Sequence, residues 1–82
     1  MNTKKKYPCH CCGYYTLNDK LGTFDICPVC YWEDDNIQFA NPDYKGGANS
    51  ISLNEARKNY EKMGAISEEY LDSVRLPNEN EK

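Results

Sequence analysis

A small α+β domain held together by a bound metal is the fold class this sequence predicts, on three observations. Two Cys-x-x-Cys pairs, Cys9/Cys12 and Cys27/Cys30, are separated by the fourteen residues 13–26; strand-like alternation lies between and after them; and a capped amphipathic helix begins at Ser52. The 82-residue chain fits a single domain, and a core that small is marginal without a metal, a disulfide or a partner subunit. The domain is placed at residues 7–76. The ends 1–6 ("MNTKKK") and 77–82 ("PNENEK") are polar in composition and read as flexible.

The segment between the pairs, "GYYTLNDKLGTFDI", reads as a β-hairpin. Tyr15 and Leu17 share one face, Phe24 and Ile26 share another, and "NDKLG" supplies the turn. A hairpin returns its ends to one place, which gathers four sulfurs in the tetrahedral arrangement of structural zinc. The predicted ligands are Cys9, Cys12, Cys27 and Cys30, holding one Zn2+ per chain, with iron as the alternative metal. Gly13 suits a positive φ after the first pair, and Pro28 restricts the second turn. Cys11 competes with Cys12 for the shell, but Cys9/Cys11 is a shorter chelate and would move Gly13 out of place. His10, at the tip of the first turn, is expected to face water. Cys11 is then a small apolar filler or a spare thiol.

Downstream, Tyr31 and Trp32 have the apolar bulk to cover the metal. Ile37 and Phe39, two residues apart, suggest a third strand, so the architecture is a hairpin or a three-stranded sheet followed by one or two C-terminal helices. The run Glu33-Asp34-Asp35 does not converge on an ion in an extended chain. It reads as caps, turns and a solvated negative patch that tunes the encounter with a basic partner. The adjacent glycines of "NPDYKGGAN" mark a sharp turn or a close backbone contact. Ser52 and Glu55 form a capping-box pattern, Leu53, Ala56, Tyr60 and Met63 line one helical face, and Gly64 suits the end. Ser67 opens a shorter helix through "EEYLDSVR", packed by Tyr70, Leu71 and Val74.

The stretches "CHCCG", "CPVCYWEDD" and "GGANSISLNEAR" together resemble the bacterial cysteine-rich CPCC family over about residues 7–63, with His10 standing where that family usually has proline. The resemblance implies a zinc-ribbon-like fold and carries no settled biochemical activity with it. "CHCCGY" followed by "CPVC" is also similar to the paired iron turns of rubredoxin, which would imply an electron carrier. The intervening segment is shorter than in that family, and Tyr31 stands where its second turn has glycine.

Composition narrows the function. The formal net charge is −3, and zinc with four thiolates takes it to about −5. Such a field repels phosphate backbones, so a protein partner is favoured over nucleic acid. Arg57, Lys58 and Lys62 offer one basic patch, interrupted by Glu55 and Glu61. No apolar run approaches the ~20 residues that span a bilayer, and no export signal is read at the start. With an odd number of cysteines, five, a reducing cytoplasmic setting is expected. The reading is a structural-zinc protein-interaction or adaptor module without catalytic activity. Its alternatives are a nucleic-acid-binding zinc ribbon and a rubredoxin-like iron electron carrier.

Overall fold

The computed structural model describes residues 6–18 and 23–82. Each Cys-x-x-Cys pair forms the tip of its own tight loop, and both loops close with the same two hydrogen bonds. In the first, the Cys9 N–H donates to Tyr14 O at 2.9 Å and the Gly13 N–H to Cys9 O at 2.9 Å. In the second, the Cys27 N–H donates to Trp32 O at 3.0 Å and the Tyr31 N–H to Cys27 O at 2.8 Å. Gly13 and Tyr31 thus hold equivalent places, and both are left-handed, with φ of 84° and 77°. Glycine takes this conformation freely, whereas a side chain there costs ~1–2 kcal/mol. Stacking of the Tyr31 ring on Tyr70, with centroids 4.3 Å apart, offsets part of that cost.

Among the described residues, the β-hairpin forms around the first loop and not between the pairs, the expected place. Strand β1 (Tyr7–Pro8) pairs antiparallel with β2 (Tyr15–Leu17) across the first loop, Tyr7 opposite Leu17 and Pro8 opposite Tyr15, with a bulge between. Across the second loop, Ile26 makes a single bridge to Glu33. A Cys-x-x-Cys turn reverses the chain within a few residues, so its own flank is the ladder partner with the smallest loop to close. The bulge also breaks the two-residue alternation: Tyr15 is exposed while Thr16 and Leu17 are buried. Phe24 and Ile26 are both exposed. The expected turn at 18–22 lies outside the described residues from position 19 on, as do the N-terminal residues 1–5.

The expected third strand is instead a short helix, α1 (Asn36–Ala40). Asp35 caps it, its carboxylate accepting from the Ile37 N–H at 2.8 Å and the Gln38 N–H at 3.2 Å. Gln38 is fully buried, and its side-chain amide donates to the carbonyls of Tyr44, Asn49 and Ile51. Those bonds fasten the 41–51 loop onto α1. An extended segment could not present both the cap and the inward amide, and the pair that suggested a strand, Ile37 and Phe39, is left exposed.

The two adjacent glycines of that loop serve different needs. Gly46 has φ 95°, a turn that favours glycine. At Gly47 a Cβ would sit 2.6 Å from Asp35 Oδ2 and 2.9 Å from Gln38 Cγ, because the chain crosses α1 closely enough for the Ala48 N–H to reach Asp35 Oδ2 at 2.8 Å. Gly47→Ala should therefore cost about 1–3 kcal/mol through overpacking against a fixed cap. Thermal unfolding checks this, and an unchanged midpoint would show that the loop can move away from α1.

Helix α2 (Leu53–Met63) forms where predicted, with the Ser52 half of the expected capping box. The Ser52 hydroxyl accepts from the Glu55 N–H, and Gly64 ends the helix at φ 87°. Leu53 and Ala56 enter a core formed with Cys9, Leu17, Cys27, Val29, Cys30, Trp32 and Ile66. Beyond it, Glu68–Ser73 form a 3-10 helix from which Tyr70 packs inward while Leu71 stays exposed. A second 3-10 turn, Glu79–Glu81, lies where the sequence reading sets no structure. It packs on β2, and Arg75 makes two bonds to the buried Glu81 carboxylate at 2.7 and 2.8 Å.

That pairing holds Glu81 at about 2, below its ordinary 4.5. A depressed carboxylate stabilises the fold above its unfolded value, and the contribution is lost as pH falls from about 4.5 through about 2. Thiolate protonation acts in the same direction on the whole molecule, so the informative quantity is a difference. The thermal-midpoint gap between the parent and Glu81→Gln should be constant at neutral pH and shrink below about 4.5; a constant gap in acid would contradict the pairing.

Candidate metal centre

The sulfur atoms of Cys9, Cys12, Cys27 and Cys30 all lie within 4.8 Å of one another, brought together by the two loops. Cys9 Sγ is 3.6 Å from Cys30 Sγ, and Cys12 Sγ is 3.7 Å from Cys27 Sγ. A tetrahedral shell with ~2.3 Å zinc–sulfur bonds places its sulfurs roughly 3.8 Å apart, so these separations fit one ion. They are far too long for disulfides, and all five cysteines are free. Cys9, Cys27 and Cys30 are buried, while Cys12 is half-buried. The four sulfurs are the ones the spacing singles out, with Cys12 in the group instead of Cys11.

Backbone N–H groups point back at two of the sulfurs. The Cys11 N–H donates to Cys9 Sγ and the Trp32 N–H to Cys30 Sγ, each at 3.4 Å. Such bonds spread thiolate charge and orient the ligand. A third contribution has no sequence signal: the Thr16 hydroxyl donates to Cys27 Sγ at 3.0 Å, delivered by the bulged strand β2. Thr16 is eleven residues from Cys27, and only the packing of the two loops shows the contact.

Close packing of the four thiols governs their protonation. Hydrogen bonds from the Cys12, Cys30 and Cys9 thiols, together with Thr16, hold Cys27 well below the usual thiol range. Cys9 and Cys12 are pushed far up, chiefly by their contacts with neighbouring cysteines. Cys30 is raised as well, first by Cys11 beside it. Four sulfurs this close share one negative charge readily and further ones poorly; a divalent ion replaces the remaining protons. Cys11 packs half-buried at the edge of this group. Trp32 closes the interior side, and Tyr60 of α2 lies near enough that burial, then Cys12, push its phenol to about 12.

His10 does not face water as expected. Its side chain is 9% exposed, stacked on Phe39 with ring centroids 3.6 Å apart, and its Nδ1 is 3.7 Å from Asp34 Oδ1. Burial lowers its pKa, against a smaller opposing pull from Asp34. The stack depends on α1, which carries Phe39 over the first loop. The acidic run is also not a solvated patch. Asp34 is buried beside His10, Asp35 is buried as the α1 cap, and only Glu33 keeps substantial exposure. Its role as a surface for a basic partner is therefore corrected for Asp34 and Asp35, which serve the fold. Arg57 of α2 reaches the same loop, its Nε donating to His10 O at 2.9 Å.

Among the described residues, no helix is long and apolar enough to cross a membrane. The family model described as Cysteine-rich CPCC matches residues 7–81. No curated protein gives a significant match.

Proposed function

Because the chain belongs to the cysteine-rich CPCC family, we propose that it is a structural-zinc module that docks a protein partner and performs no chemistry of its own. The observation that carries this reading is the four-sulfur shell, whose separations suit one tetrahedral ion. Four thiolates complete the coordination of zinc, so no position remains for a water or substrate. The two closing loops make the arrangement zinc-ribbon-like. The thiols stay reduced in a cytoplasmic setting, which favours a metal over disulfides.

A protein partner is favoured over nucleic acid by the net charge of −3. The α2 basic patch is also weakened as a phosphate site, because the Arg57 guanidinium is already engaged with His10 O. Protein purified without added metal should contain about one equivalent of zinc, by elemental analysis. Iron with reversible one-electron chemistry would instead support the electron-carrier alternative. A metal-free chain with the same cooperative unfolding would reject the structural-metal reading.

A further inference from the structure

A cleft of about 190 Å³ opens beside the second loop, between the residues that follow Cys30, the 48–51 segment and the 3-10 helix Glu68–Ser73. Its lining includes the stacked Tyr31 and Tyr70, the carboxylates Glu33 and Glu69, and the aliphatic Ile51 and Ile66. Pockets for drug-sized ligands run to about 300–1,000 Å³, so this cleft has room for one side chain and little more.

Two features of the lining suit a cation. Glu33 and Glu69 supply negative charge, and no cation among the described residues is paired with either. The tyrosine pair adds an aromatic wall; each ring covers one face of the other, so a planar cation would take an outer face of the pair. The carboxylates and the wall act at one place, since Tyr31, Tyr70, Glu33 and Glu69 all line the same cleft.

We infer that this cleft receives the guanidinium of an arginine side chain presented by a protein partner. The assignment rests on the protein-docking reading above and names the residue type that reading lacks. Arginine is favoured over lysine because its flat, delocalised cation stacks on an aromatic wall while its N–H groups reach flanking carboxylates. The cleft also hangs from the metal centre, since Tyr31 directly follows Cys30 and the Ile66 N–H donates to Cys30 O at 3.0 Å.

The test is an NMR titration of the protein, purified without added metal, with Nα-acetyl-arginine methylamide, against the neutral citrulline and the lysine analogues. The arginine probe should give saturable shifts centred on Tyr31, Tyr70, Ile66 and Ser67. Citrulline should bind roughly tenfold more weakly, the scale of losing one charge-assisted hydrogen bond. The Glu33→Gln/Glu69→Gln variant should lose about the same factor with metal content and circular dichroism unchanged; Glu33 holds Asn49 only through its backbone, so the amide leaves that bonding in place. Equal binding of citrulline or lysine, shifts centred on other acidic residues, or an unaffected double variant would overturn the assignment. Elemental analysis of the same sample scores the zinc reading separately. Metal without arginine binding removes the cleft alone, and arginine binding without metal removes the zinc reading alone.

Discussion

Cys27→Ser is expected to abolish metal binding and leave the chain without cooperative unfolding, while Cys11→Ser keeps one equivalent of metal. Cys27 is fully buried, makes contacts with the other cysteines of the shell, and alone receives the Thr16 hydroxyl. Structural zinc contributes apparent binding energies of about 10–16 kcal/mol at neutral pH, while a whole domain is stable by only about 5–15 kcal/mol. Even a partial loss of the shell therefore exceeds what this small core can absorb. Cys11 lies outside the four-sulfur group, at the edge beside Cys30. Its replacement should cost within the ordinary range of about 0.5–3 kcal/mol. Elemental analysis and circular dichroism compare the two. A Cys11→Ser protein that loses metal while Cys12→Ser retains it would reverse the assignment within "CHCC".

The second large effect is expected at Gln38, where Gln38→Leu should destabilise the domain by about 3 kcal/mol or more while leaving the four sulfurs in place. The side chain is fully buried and keeps five hydrogen bonds. Its Nε2 donates to three loop carbonyls, and its Oε1 accepts from the Asn49 N–H at 3.1 Å and from Asn49 Nδ2 at 3.0 Å. Leucine fills similar space but strands these buried groups at about 1–3 kcal/mol each, less whatever water can recover. Gln38→Glu should be worse at neutral pH, since it turns a carboxylate oxygen toward three carbonyls. Denaturant midpoints give the cost, and amide exchange should show residues 44–51 opening before the cysteine loops. A Gln38→Leu midpoint within 0.5 kcal/mol of the parent, the range of a neutral surface change, would mean this hub is not anchoring the loop.

Sequence alone determined the features set by neighbours a few residues apart. The four-sulfur group is legible because a Cys-x-x-Cys turn aims its sulfurs within its own span, and the Ser52 cap and Gly64 stop of α2 follow from the same short-range geometry. The adjacent glycines announced a backbone demand, met as a turn at Gly46 and a close approach at Gly47. Tertiary structure alone decided the rest. Ile37 and Phe39 have strand spacing, but Asp35 and Gln38 gain more from bonds to residues 44–51 in a helix than the segment would gain as an edge strand. His10 left water only because Phe39, twenty-nine positions away, arrives over it, and Asp34 joined it in the interior. The left-handed Tyr31, in the place where the first loop has glycine, is tolerated in a structure that puts Tyr70 against its ring. Each of these outcomes turns on a partner distant in sequence, and residue spacing carries no information about which distant groups will meet.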